Sequence, residues 1–378
     1  MLDPALYAVE NLEAIASPSL LYFKDIIAEN TRKAVDMAGG PDRLWPHVKT
    51  HKMREMIQMQ LAAGIRRFKC ATLEELQMTA SCGAGQILLA YPLLGPNVST
   101  FLALVRAYPK TCLYALEDEA QGLRALSEAA VQAGLTVKVM LDINLGMNRT
   151  GVVPALARSL YELGASLPGL EMAGLHGYDG HRTEPAFSER KALASSALDP
   201  VRELRRQLEA EGLSCPNVIL GGTPTFPVHA AEENVYLSPG TVFVSHWPYL
   251  VRYPELPFVP GAAVLGRAIS RPAKGLFTLD VGTKALASEM QEPRGVILGW
   301  EDAVEVGQSE EHRVFRVPEG RPVPALGQPL LVFPSHICPT TALHEHALVV
   351  QGGRVTGRWT VAARNRTVAL PAEGKEAR

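Results

Sequence analysis

The sequence predicts an α/β chain: a (β/α)8 TIM-type barrel over residues 1–256, followed by a C-terminal all-β domain over residues 257–378. Three observations carry this expectation. Eight short apolar runs alternate with segments whose apolar residues recur at helical spacing, and eight parallel strands close such a barrel. No Gly-x-Gly-x-x-Gly follows the first of them, as a doubly wound dinucleotide-binding sheet would require. Beyond Pro257 the helical spacing stops, and short β-like runs separated by Gly, Pro and charged turns take over.

The elements follow in order. An apolar strand at 19–23 comes first, and residues 1–23 can lend it to the β domain. A helix over 25–38 is ended by Gly39-Gly40-Pro41. The barrel strands are expected at 45–49, 67–71, 86–90, 111–115, 137–143, 170–176, 217–220 and 235–237. Helices are expected at 73–81, 97–107, 120–133, 154–167 and 199–211. The stretch 178–196 is long for a connection and reads as a functional loop on the C-terminal face of the barrel. The β runs are 262–270, 275–281, 295–300, 312–317, 329–333, 345–351 and 354–363, with Gly352-Gly353 as a hairpin turn and 373–378 as a charged tail.

Composition narrows the function. With 378 residues and 47% hydrophobic ones, the chain can bury a substantial core. A net charge of −2 with interspersed signs gives no support for nucleic-acid or membrane binding. The first residues carry acids where a signal peptide needs bases, and no apolar run approaches the roughly 20 residues of a membrane span. Five scattered cysteines (Cys70, Cys82, Cys112, Cys215, Cys338) argue for a reducing compartment. The expectation is a cytoplasmic enzyme.

Barrels keep their chemistry at the C-terminal ends of their strands. Lys49 ends the first strand, within Trp45-Pro46-His47-Val48-Lys49-Thr50-His51-Lys52. An amine there can form a Schiff base with an aldehyde cofactor. Arg149 follows the fifth strand in Asn148-Arg149-Thr150-Gly151, and His176, Tyr178 and His181 follow the sixth. Gly221-Gly222-Thr223 and Ser238-Pro239-Gly240-Thr241 follow the seventh and eighth; such turns expose backbone N–H groups able to cradle a phosphate. Together with Lys49 they describe a phosphorylated aldehyde held at both ends.

These motifs resemble the fold-type III pyridoxal-phosphate enzymes, an alanine-racemase-like barrel followed by a β domain. Within them, the branch of D-threonine aldolases, D-serine dehydratases and 3-hydroxyaspartate lyases carries a signature close to Arg-Pro-His-x-Lys-Thr-His-Lys. The resemblance spans nearly the whole chain, reappearing at Asn-Arg-Thr-Gly, His-Gly-Tyr, Gly-Gly-Thr and Pro-Gly-Thr; Trp45 departs from it where arginine is usual. It implies that Lys49 holds pyridoxal 5'-phosphate as an imine, with Arg149 beside the phenolic oxygen and Tyr178 near the ring nitrogen. It further implies that Gly222, Thr223, Gly240 and Thr241 contact the phosphate and that the enzyme is a homodimer.

A second constellation lies at Pro334-Ser335-His336-Ile337-Cys338-Pro339. On an extended segment, residues two apart point to the same side, and imidazole plus thiolate suits zinc or another borderline-soft divalent metal. By itself a His-x-Cys is more often a half-buried strand pair. The resemblance favours a metal, zinc or manganese, since the aldolase branch has His-x-Asp here and the dehydratases His-x-Cys. His344 and His346 are candidate extra ligands, though an exposed β face explains them as well. The implied activity is a lyase acting on small D-β-hydroxy amino acids, with Lys49 and His181 catalytic. Cleavage to glycine and an aldehyde, as in D-threonine aldolase, is favoured over dehydration of D-serine or 3-hydroxyaspartate to a keto acid and ammonia. An amino-acid racemase and a non-catalytic cofactor-binding protein are the remoter alternatives.

Overall fold

The computed structural model describes residues 2–369, so the charged tail at 373–378 lies outside the described residues. Their contacts divide the described residues into two compact units, one of 35–49, 56–240 and 365–369, the other of 2–34, 50–55 and 241–364. Strand β1 (Ser19–Phe23) belongs to the second of these, and the parallel strands of the first follow it in the chain.

Among the described residues, the first unit is a seven-stranded parallel sheet in sequential order. Its strands are β2 (Arg67–Cys70), β3 (Gln86–Pro92), β4 (Cys112–Glu117), β5 (Val137–Ile143), β6 (Leu170–Gly177), β7 (Asn217–Leu220) and β8 (Tyr236–Leu237). The eighth position of the barrel is filled differently from expectation. Residues 45–49 are not a ladder strand: Leu44 bridges Leu237 on one side and His47 bridges Lys69 on the other, and Val48–Thr50 is a 3-10 turn. Pro46 explains this, because it has no N–H to give to a ladder. Three backbone bonds close the barrel here: Trp45 N–H to Leu237 (2.8 Å), His47 N–H to Pro239 (3.0 Å) and Lys69 N–H to Pro46 (2.9 Å).

Inside the barrel, Trp45 is fully buried among Leu88, Tyr114, Leu116, Met140, Ala173 and Ile219. Its ring meets Tyr114 edge-on at 5.4 Å and Tyr236 at 6.1 Å. Burying a large apolar side chain stabilises by about 1.5–3 kcal/mol, so the indole anchors the closing segment that its backbone holds only sparsely. The helices around the sheet match the sequence pattern, with one exception. The helix expected at 199–211 begins at Phe187 and runs through Pro200 to Ala210. Its buried residues Ala194, Leu198, Val201, Leu204 and Leu208 form one unbroken apolar stripe, and packing that stripe outweighs the hydrogen bond lost at the proline. The loop expected over 178–196 therefore ends at Ala186.

The second unit is a mixed sheet. Its remaining strands are β9 (Ala262–Ser270), β10 (Leu276–Leu279), β11 (Gly295–Ile297), β12 (Val304–Gln308), β13 (Arg313–Arg316), β14 (Pro329–Pro334), β15 (His346–Gln351) and β16 (Arg354–Thr360). The main path is β12-β13-β10-β9-β1-β15-β16, with β14 pairing β9 and β11. β1 lies antiparallel to β9 and parallel to β15. Leu21, Phe23, Leu265, Leu331 and Phe333 share its core with Tyr7, whose ring is 4.5 Å from that of Phe333. Strand β12 was not expected: four of its five positions are partly or fully solvated, and the one buried residue is Glu305. A buried pair braces it, Arg313 Nη1 lying 2.8 Å from Glu305 Oε1 with both side chains almost wholly inaccessible.

The segment around Cys338 also departs from expectation. His336 is an extended N-cap and Ile337–Leu343 is a helix, so the pair does not lie along a strand. Pro339 stands in the first turn, where a missing N–H costs nothing.

Candidate active site

In the barrel unit, the loops after β5, β6 and β7 are shaped by their own polar groups. Asn144 Oδ1 accepts from the N–H groups of Gly146 (2.9 Å) and Asn148 (3.2 Å). Gly151 N–H donates to Asp118 (2.7 Å), and Ile143 bridges Val152. Gly151 has φ +99°, and a Cβ there would stand 2.6 Å from the Asn144 nitrogen, so only glycine fits. This fold of the loop presents Arg149.

The Tyr178 ring is the meeting point. Arg149 Cζ lies 4.8 Å from its centroid, and Lys49 Nζ and Lys69 Nζ each lie 5.7 Å away. A Cβ at Gly222 would come within 3.0 Å of the ring edge, so the glycine gives the turn room beside the tyrosine. The structure thus brings together Lys49, Arg149, Tyr178 and Gly222. Thr223 is buried after β7, and Gly240 follows β8.

Asp179 fastens the loop after β6 to the one after β7: it accepts from Thr225 Oγ1 (2.7 Å) and His229 Nε2 (2.7 Å). Burial works to raise its carboxyl, but His229 and then Thr225 outweigh that and hold it below the usual carboxylate range. His181, at the edge of this loop, packs against Gly146 and Arg182, and neither ring nitrogen finds a hydrogen-bond partner. Burial, reinforced by Arg182, lowers its pKa, so the ring is a neutral base near pH 7.

Lys69 is the residue that sequence reasoning missed. It is only 2% exposed, and its amine donates to His176 Nε2 (3.3 Å); His176 Nδ1 donates to Asp142 Oδ1 (2.7 Å), and Thr150 Oγ1 to Asp142 Oδ2 (2.8 Å). Burial, then the like charge of Lys49, pushes its ammonium down to about 7. The chain Lys69–His176–Asp142 is a continuous buried polar path that ends at the exposed Thr150. The signal in the sequence was a lysine inside an otherwise apolar barrel run, Phe68-Lys69-Cys70.

Lys49 and Arg149, joined by the partly charged Lys69, surround one ring, and with Asp142 and Asp179 engaged by histidine and threonine they leave the barrel site positive. That arrangement suits an anionic ligand, and a phosphorylated, phenolic aldehyde fits it.

In the mixed-sheet unit, His336 hydrogen-bonds the Cys338 side chain, and its Nδ1 lies 2.5 Å from Glu289 Oε1. Burial opposes charge on this ring, but Cys338 and Glu289 outweigh it and raise its pKa. Cys338 Sγ stands 3.3 Å from Thr50 Oγ1 and 3.6 Å from Thr241 Oγ1. The His246 ring is 5.9 Å from His336, and burial, then His336, holds it down to about 3. His344 donates to the Ala285 carbonyl (2.8 Å), which explains that histidine without a ligand. Among the described residues no group of three or more His, Cys, Asp or Glu is arranged to hold a metal. A borderline-soft pair of imidazole and thiolate remains, leaving coordination positions to other ligands.

Comparison with known proteins bears on both units. Residues 24–246 match the family described as alanine racemase, N-terminal domain, and residues 261–350 one described as putative serine dehydratase domain. A D-threonine aldolase of an Arthrobacter species is 30% identical over 373 residues, with 96% of each chain covered. A 3-hydroxy-D-aspartate aldolase of Paracoccus denitrificans is 27% identical over 377 residues, covering 96% of this chain and 95% of the other. The crystal structure of D-threonine aldolase from Filomicrobium marinum superposes with a TM-score of 0.85 at 29% identity, over 96% of this chain and 99% of that one.

Proposed function

The chain belongs to the alanine-racemase-like, fold-type III family of pyridoxal-phosphate enzymes, and from that premise we propose that it is a metal-dependent lyase of D-β-hydroxy amino acids. The favoured reaction is retro-aldol cleavage to glycine and an aldehyde. The single observation that carries this reading is the full-length 30% identity to a D-threonine aldolase, in a chain whose Lys49 amine stands at the Tyr178 ring.

When bound, pyridoxal 5'-phosphate supplies an aldehyde for an amine and a ring that withdraws electrons from the substrate α-carbon. Lys49 would provide the amine that holds the cofactor and, when free, a base for the substrate α-proton. Arg149 offsets negative charge at the phenolic oxygen, and Tyr178 orients the ring-nitrogen side. Gly222, Thr223, Gly240 and Thr241 bind the phosphate through N–H and hydroxyl donors. His181, neutral at pH 7, accepts the β-hydroxyl proton. His336 and Cys338 would hold a divalent metal, zinc or manganese, whose charge would favour the ionised form of a substrate hydroxyl.

A second reading has one specific observation behind it. Cys338 stands where the aldolase branch is expected to have aspartate, and dehydration to a keto acid and ammonia is the reaction that goes with cysteine. We place the barrel over residues 1–256 and the metal-bearing β domain over 257–378, with the first strand lent to the latter. Five free cysteines favour a cytoplasmic protein, and the resemblance favours a homodimer. No helix among the described residues is long and apolar enough to cross a membrane.

The test is a product assay on zinc- or manganese-loaded protein given D-threonine, D-serine and D-3-hydroxyaspartate. Glycine plus an aldehyde is the expected result. A keto acid plus ammonia selects the second reading, and neither product sinks the substrate class. His336→Ala and Cys338→Ala should each abolish turnover while the cofactor absorbance persists; unchanged turnover removes the metal from the mechanism.

A further inference from the structure

Glu289 is about half exposed, with 47% of its side chain accessible, and such carboxylates ordinarily form ion pairs of little consequence. The backbone beside it is not that of a free surface loop. Ala287 N–H donates to Thr340 Oγ1 (3.2 Å), and Thr340 Oγ1 donates to the His336 carbonyl (2.8 Å). Arg294 Nε donates to the Ser288 carbonyl (3.2 Å), while Arg294 Nη1 is held by Glu305 (2.9 Å) and Glu292 (3.0 Å). The two residues before Glu289 are therefore tied to the helix that His336 caps and to a braced arginine. From this tethered position Glu289 Oε1 reaches His336 Nδ1 at 2.5 Å, and the same ring hydrogen-bonds Cys338.

We propose that Glu289 is the positioning residue of the metal centre: it accepts the Nδ1 proton of His336, fixes that tautomer, and leaves the Nε2 lone pair to ligate alongside Cys338. The inference rests on the metal reading above and adds the group that prepares the ligand. A histidine that donates its second N–H to a carboxylate has its ring orientation fixed and its basicity raised, and losing such a partner weakens metal binding by about 10–100-fold. Carboxylate, imidazole and thiolate lie in one unit, and the pinning of residues 287 and 288 holds the carboxylate in place when solvent would otherwise release it.

The experiment measures Zn²⁺ affinity of the cofactor-loaded protein by competition with a chromophoric chelator. Glu289→Ala should weaken binding by about 10–100-fold. Glu289→Gln should weaken it less, because its amide oxygen still accepts from Nδ1. Cofactor absorbance should stay unchanged in both and report an intact fold. His336→Ala separates this inference from the one beneath it. If His336→Ala loses zinc and both Glu289 variants bind it as the unmodified protein does, Glu289 positions nothing and this assignment is overturned. If His336→Ala also keeps full affinity, the metal reading falls and takes the assignment with it.

Discussion

The barrel unit buries its charged groups and joins them into chains; the mixed-sheet unit leaves its two donors half exposed at the start of a short helix. Lys69, His176, Asp142, Asp179 and His229 are all buried, and each reaches another polar side chain. Burial sets the largest shifts there, pushing Lys69 down to about 7 and Glu117, at the end of β4, up to about 8, although at Asp179 His229 and Thr225 outweigh it. At His336 burial is outweighed, and the neighbouring Cys338 and Glu289 side chains decide instead. A site of the first kind is tuned by desolvation, and one of the second kind by orientation. The two should therefore fail in different ways.

The largest effect expected is at Lys49. Lys49→Ala should lower turnover by several orders of magnitude and remove the absorbance of lysine-bound cofactor, with zinc affinity retained. Loss of zinc along with cofactor would break the contrast between the two centres.

Next comes the buried pair under β12. Glu305→Ala leaves Arg313 charged and wholly inaccessible, which should cost about 3–5 kcal/mol in denaturant unfolding. A loss under about 1 kcal/mol would mean that burial matters less in the mixed-sheet unit than in the barrel.

The smallest effect is one of slope. The unfolded chain holds the Lys69 proton up to about 10.5, but the folded chain releases it at about 7. Between those values the unfolded state binds more protons, so this group makes stability rise with pH; the penalty is complete below about 7 and gone near 10.5. Lys69→Met should flatten that rise, so the melting temperature of the unaltered protein gains on the variant between pH 7 and 9.5. A constant difference would show that Lys69 stays charged in the fold.

Much of the barrel site was legible because strand ends advertise themselves. Arg149, Tyr178 and Gly222 follow apolar runs directly, and the fold then gathers them. Lys69 was not legible in that way, since a lysine inside Arg67-Phe68-Lys69-Cys70 reads as the solvated side of an alternating strand. Only closure of the barrel turns that side inward. Prolines stand at three of the departures from expectation, for three reasons. Pro46 replaces a ladder with bridges, Pro200 is overridden by an apolar stripe, and Pro339 occupies a first turn that needs no donor. The His336–Cys338 pairing was expected from extended geometry and is reached through a helix cap.

The closing segment of the barrel has a consequence for the lifetime of the enzyme. Among the described residues, Lys49 follows a segment that joins the parallel sheet through isolated bridges at Leu44 and His47, with the Trp45 indole buried between them. If that segment opens more readily than the laddered strands, the amine is misplaced by a sub-global opening, which hydrogen exchange at 44–50 faster than in β3–β6 would reveal. Endurance of activity in storage or heat is then governed by how tightly Trp45 is gripped, and cavity-making changes at Tyr114 or Met140 would shorten working life well before they changed the melting point.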